Sequence, residues 1–158
     1  MTNLILATKL VHVLGATVLF GTGLGIAFFM WMAHRSRDPA AIAHTARTVV
    51  IADAAFTASA VIVQPFSGGL LAWSMGYGLA ESWIVASLVL YGLVGCCWLP
   101  VVGIQLRLRN IAEDAARRHV ALPSDYFRLF RVWFWLGWPA FIGVIAIFAL
   151  MIWKPQLW

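Results

Sequence analysis

The sequence predicts an all-α polytopic membrane protein, an antiparallel four-helix transmembrane bundle with helices extending into the cytoplasm. Three observations predict it. Of the 158 residues, 63% are hydrophobic and only 11% charged, and the mean hydropathy is +0.89, outside the range of soluble domains. Apolar runs of the length that crosses a bilayer, about 20 residues, recur along the chain at about 4–32, 49–73, 83–105 and 129–153. Arginines gather in alternate connections. The net charge of +5 therefore belongs to the span ends, where it sets topology and meets anionic lipid. The lipid bilayer is the expected partner and nucleic acid is not. Residues 1–158 read as a single four-span membrane domain.

The first span, about 4–32, reads LILATKLVHVLGATVLFGTGLGIAFFMWM. Its apolar run exceeds the roughly 7–15 residues of a signal-peptide core, and no small-residue cleavage site follows a basic start. It is expected to remain a span. Asp38-Pro39 then makes a good helix start, with Asp38 as N-cap and Pro39 at the first helical position. The helix from Pro39 is expected to run on into span two. There Asp53, Thr57, Ala60, Gln64 and Gly68 fall on one stripe of 3.6-residue period, the polar-and-small face that turns toward other helices. Pro65 should kink the helix or free a carbonyl near Val61.

SMGYGLAES is a short turn without Lys or Arg. Span three carries Ser87, Tyr91, Gly95, Trp98 and Gln105 on one side, with Pro100 as a second kink. Its helix should outlast the membrane through LRLRNIAEDAARRHV, until Pro123 stops it and Ser124 or Asp125 caps the next. Span four contains Pro139 and Gly143 and ends at Lys154-Pro155.

The first connection holds Arg35, Arg37 and Arg47. The third holds Arg107, Arg109, Arg117 and Arg118, with Arg128 and Arg131 at the base of span four. Basic loops stay inside, so connections one and three are expected in the cytoplasm and both termini in the periplasm. Trp83, Trp153 and Trp158 then fall near the outer interface, as belt aromatics do.

His12 is the candidate reactive residue, about 12 Å below the outer edge at 1.5 Å per residue from Leu4. Intramembrane ionisable groups are costly and usually face a bundle interior. Neutral imidazole is a common metal ligand, and histidine holds haem iron. Equally, His12 could be a neutral side chain hydrogen-bonded across the bundle to Gln64 or Tyr91. Lys9 shares its face at i, i+3; it either snorkels to outer headgroups or pairs with an anionic group such as a haem propionate. Gly15 and Gly68 would make room for a macrocycle. Gly21 and Gly25 form a GxxxG that admits another backbone. Asp53, six residues inside Arg47 and so about 9 Å below the inner edge, either pairs with Arg47, Arg128 or Arg131 or handles protons. His34, His44 and His119 sit at the cytoplasmic end, so no second axial ligand is evident. Adjacent Cys96 and Cys97 diverge on a helix and read as packing residues. No Walker loop, Cys-x-x-Cys, nucleophile elbow or HExxH is present.

The segments KLVHVLGATVLFGTGLG, IADAAFTASAVIVQPFSG and WLPVVGIQLRLR together resemble a bacterial family of predicted integral membrane proteins of unknown function. That resemblance implies a bacterial inner (cytoplasmic) membrane. The Lys9-Leu10-Val11-His12 pattern is more distantly similar to the K-x-x-H opening of HemJ-type protoporphyrinogen oxidases, four-helix membrane proteins thought to bind b-type haem through that histidine. MWMAHRSRD, FRLFR, Pro139 and Lys154-Pro155 also resemble that layout, which CopD-type membrane domains share broadly. The chain departs from the HemJ pattern in two places. No lysine follows Trp83, where Ile84, Val85, Ala86 and Ser87 stand, and Gly137 and Trp138 replace an Asn-Glu before the span-four proline.

The expected function is a small redox membrane protein binding haem b, with His12 as metal ligand and electron exchange with a quinone or other redox partner. The alternative is a non-enzymatic scaffold or accessory subunit, with Gly21 and Gly25 as a homo-oligomer face. A third reading is transport of a proton, metal or small solute.

Overall fold

A computed structural model describes residues 2–158. Among them every regular element is helical. α1 spans Thr2–Ser36, α2 Pro39–Ala52, α3 Ala58–Ser74, α4 Ser82–Arg118 and α5 Ser124–Trp153. A single π turn, Asp53–Thr57, joins α2 to α3, so Pro39–Ser74 is one helical path. Four helical stretches are long and apolar enough to cross a membrane: Asn3–Ser36, Pro39–Ser74, Ser82–Arg118 and Ser124–Trp153. The chain is an integral, multi-pass membrane protein built as a four-helix bundle.

Local chemistry sets the helix ends. Arg37 at φ 56° breaks α1. Asp38 then caps α2, its Oδ1 accepting from Ala40 N at 2.9 Å, with Pro39 at the first helical position. α4 runs on past Gln105 to Arg118, as its amphipathic tail predicts, and His119 closes it in the left-handed region. The next N-cap is Pro123 rather than Ser124 or Asp125, because Pro123 adopts the extended backbone that turns the chain into α5.

The bundle is tightest at the end that carries the Arg-rich connections, the basic end. Met30, Ile42, Leu108 and Tyr126 are fully buried there, with Phe130 and Trp133 packed beside them. The His34 ring stacks on Phe130 with centroids 3.6 Å apart and planes 3° from parallel. Several of the charges on this end pair with one another. Arg47 Nη2 lies 2.9 Å from Glu113 Oε1, joining α2 to α4. Arg118 pairs with Asp114, and Arg128 with Asp125.

A smaller cluster closes the far end, where Ala72, Trp83 and Ile84 meet Tyr77 and Met151. Trp83 is buried in it, so it is a packing residue rather than a lipid-facing belt aromatic, whereas Trp153 and Trp158 are exposed. Lys154 Nζ donates to Tyr77 Oη at 2.9 Å and lies over the Tyr77 ring. The Ser82 hydroxyl donates to Pro155 O and accepts from Leu157 N, which ties the tail to the start of α4.

Between these clusters the buried residues are small or polar, Val144 excepted: Asp53, Thr57, Ala60, Ser67, Ser87 and Gly143. Here α1 pairs with α3 and α4 with α5. Phe20 of α1 bridges the two pairs by stacking on Phe141, with centroids 5.0 Å apart.

Candidate functional site

His12 lies on the face of α1 that meets α3, and its ring is held from two sides. Nδ1 is 2.8 Å from Ser67 Oγ. Ser67 Oγ also lies 2.8 Å from Val63 O, one turn back on its own helix. A hydroxyl has one hydrogen to give. With that hydrogen on Val63 O, Nδ1 carries the ring proton and donates it to Ser67, which leaves the lone pair on Nε2. Histidines that ligate a metal commonly have their other ring nitrogen fixed by such a hydrogen bond.

The ring's second support is Gly68. A Cβ built there would stand 3.1 Å from His12 Cε1, so glycine lets the imidazole lie against the α3 backbone. The reciprocal contact is at Gly15, where a Cβ would fall 2.5 Å from Gln64 Nε2. The Gln64 amide passes Gly15 to donate to His12 O at 2.9 Å. Two glycines on facing helices thus bring two polar side chains across one seam.

Beside the seam runs an apolar groove of about 400 Å³ lined by Ala7, Thr8, Val11, Val63, Phe66 and Ser67, among others. Ser67 is shared: its hydroxyl holds the imidazole while its residue forms part of the groove wall.

A second polar position lies nearer the basic end. Asp53 is buried and accepts from Trp98 Nε1 on α4 at 3.3 Å. Arg47 and Arg128 are paired with other carboxylates, and among the described residues no cation reaches Asp53. The expected ion pair with an arginine is not formed.

Residues 6–155 match the model of a family described as predicted integral membrane protein, DUF2269. The chain belongs to this family. No curated protein and no solved structure matches it.

The DUF2269 chain brings four of the six predicted site residues together: His12, Gly15, Gln64 and Gly68. Lys9 is exposed one turn from His12 and makes no ion pair among the described residues. Tyr91 is engaged elsewhere, its hydroxyl donating to Val61 O, so the ring partner is neither Gln64 nor Tyr91. Ser67, the actual partner, is not singled out by the sequence; it lies one helical step beyond Gln64 on the stripe Asp53, Thr57, Ala60, Gln64, beside Gly68. His34 is a helix length away, its ring among Tyr126, Phe127 and Phe130. No group of three or more His, Cys, Asp or Glu converges as a metal site among the described residues.

Proposed function

We propose that this protein binds haem b through Nε2 of His12 and works in membrane redox chemistry, exchanging electrons with a quinone or another redox partner. The observation that carries the reading is the His12–Ser67 hydrogen bond, which holds the ring within an apolar span and, with the Ser67 hydrogen on Val63 O, leaves the lone pair on Nε2. One histidine suffices to hold haem iron, as it does in globins, so the donor set fits a singly ligated haem. Gly15 and Gly68 enter the reading differently from what their spacing suggests. Their space is taken by Gln64 and by the imidazole itself, so they position the ligand rather than clear a macrocycle plane. The groove that shares Ser67 is the apolar surface nearest the ring partner, and Lys9 is one turn away for a propionate. Haem would supply the one-electron couple. The chain's own residues, Ser67 and Gly68, orient the imidazole.

The visible spectrum of the purified protein tests this. Protein made with haem supplied should show a Soret band that His12→Ala abolishes and Lys9→Ala leaves. Wild-type protein that carries no pigment, or a band indifferent to His12→Ala, overturns the reading. In a bacterial inner membrane, which the resemblance implies, the arginine distribution supports basic connections in the cytoplasm and both termini in the periplasm.

One observation favours the alternative of an accessory subunit. A Cβ at Gly21 or at Gly25 would meet nothing within 4 Å, so this chain's own helices do not use the GxxxG. A homo-oligomer or another subunit would explain it, and Gly21→Leu would then change the oligomeric state in detergent.

A further inference from the structure

We infer that Asp53 is a membrane-embedded proton-binding site that carries its proton at neutral pH. The inference is independent of what His12 binds.

Three observations converge on it. The first is the lack of a counter-charge. Asp53 is 5% exposed, and a buried carboxylate is tolerated only if it is paired or neutral. The helices around it offer little charge. On its own helical path Arg47 is committed to Glu113, and His44 is exposed and more than two turns away. α1 has no titratable group between His12 and His34, and α5 has none between Arg131 and Lys154. On α4 the neighbours of Trp98 are Cys96 and Cys97, free thiols with no positive form. Tyr91 is bonded to Val61 O.

The second observation is the hydrogen-bond inventory. Trp98 Nε1 can only donate, and it gives its hydrogen to Oδ1. One turn on, Thr57 is 5% exposed and its Oγ1 has no partner. Thr17, Thr48, Ser59, Ser67 and Ser87 each donate to the carbonyl four residues back. Thr57, whose residue four back is Asp53, does not. The donors that would stabilise a carboxylate here are few: Trp98 gives one hydrogen bond, and a neutral Asp53 keeps it at Oδ1.

The third observation is the backbone. Asp53 opens the only π turn among the described helices, and the Asp53 carbonyl accepts from Ala58 N, five residues on. π turns arise from one inserted residue and recur at functional sites. Here the turn sits where the polar stripe begins.

The other five acidic side chains make the test direct. Asp38 and Glu81 are exposed at helix starts, and Glu113, Asp114 and Asp125 pair with arginines, so Asp53 is the one buried acid among the described residues. Infrared spectroscopy of the full chain in lipid vesicles at pH 7 reads protonated carboxyl directly. The expected result is one carboxylic-acid C=O band, shifted in D₂O, lost in Asp53→Asn and retained at a shifted frequency in Asp53→Glu. If Asp53→Asn does not fold, the wild-type band and its displacement in Asp53→Glu decide. No acid band in the wild type at pH 7, or one unaffected by either substitution, overturns the proposal. Because the assignment rests on the loss or shift of the band in Asp53 variants, which leave His12 in place, its failure is distinguishable from failure of the haem reading.

Discussion

The hydroxyl of Tyr91 on α4 donates to the carbonyl of Val61 on α3. Pro65 has no N–H to offer the residue four before it, so Val61 O is the carbonyl that this proline leaves without a helical partner. The sequence predicts a freed carbonyl near Val61, and the structure supplies its acceptor's match from another helix. Within hydrocarbon an unpaired backbone group has no water to turn to, which makes this bond an anchor between α3 and α4.

Tyr91→Phe should therefore destabilise the bundle by about 1–3 kcal/mol, the cost of stranding a buried acceptor. Thermal unfolding in detergent measures it. Pro65→Ala restores a backbone donor to Val61, so the penalty of Tyr91→Phe should shrink in that background. A double-mutant cycle with no coupling between the two positions would show that the bond contributes nothing.

The same pair shows what is legible in a chain of this kind. Hydropathy finds the spans because about 20 apolar residues is a coarse, additive signal. It stops short of the true helix ends at Pro39, Arg118 and Ser124, since helices that leave the bilayer become amphipathic and lose the signal while keeping their hydrogen bonds. The proline's consequence is legible because covalent structure dictates it. The π turn at Asp53 is not, since one inserted residue leaves no composition or spacing signature. The seam partner of His12 was missed for a related reason. Gly68 and Ser67 are neighbours on the helix, and a stripe of 3.6-residue period does not decide between them until the facing helix sets the rotation. Trp83 illustrates a third limit. A tryptophan at a span end reads as a lipid-facing anchor, and only the contact with Tyr77, centroids 5.4 Å apart and planes at 90°, shows that it closes the bundle instead.

Glycines that look alike in sequence should respond differently to alanine. At Gly143 an added Cβ would lie 2.6 Å from Val94 Cγ2, a branched side chain with little freedom to move, in the α4–α5 seam. Gly143→Ala should cost about 1–3 kcal/mol, the usual range for overpacking. Gly21→Ala and Gly25→Ala meet nothing within 4 Å. They should change monomer stability by about 0.5 kcal/mol or less, or raise it through helix propensity. Thermal midpoints in detergent, with the oligomeric state monitored by size-exclusion chromatography, separate the cases. Equal losses at Gly143 and Gly21 would contradict the packing described.

The two glycines of the His12 seam make the sharpest contrast. At Gly68 a new methyl would press the imidazole itself, at 3.1 Å from Cε1. The ring lies against backbone, so it must shift by a few tenths of an ångström, and the 2.8 Å bond to Ser67 Oγ must lengthen or bend with it. At Gly15 the methyl would meet the end of the Gln64 side chain, which can rotate away at the cost of one hydrogen bond, about 0.5–1.5 kcal/mol, while the ring keeps its place. Gly68→Ala should thus perturb the His12 ring-nitrogen resonances in ¹⁵N-histidine NMR, and Gly15→Ala should lower the thermal midpoint while leaving those resonances alone. Ser67→Ala completes the set. It removes the Nδ1 partner without touching either glycine, so it should move the Nδ1 resonance most of all. If Gly15→Ala shifted the ring as far as Gly68→Ala does, Gln64 rather than Gly68 would be what holds the imidazole; if Ser67→Ala left the Nδ1 resonance unmoved, the assignment of the lone pair to Nε2 would lose its structural basis.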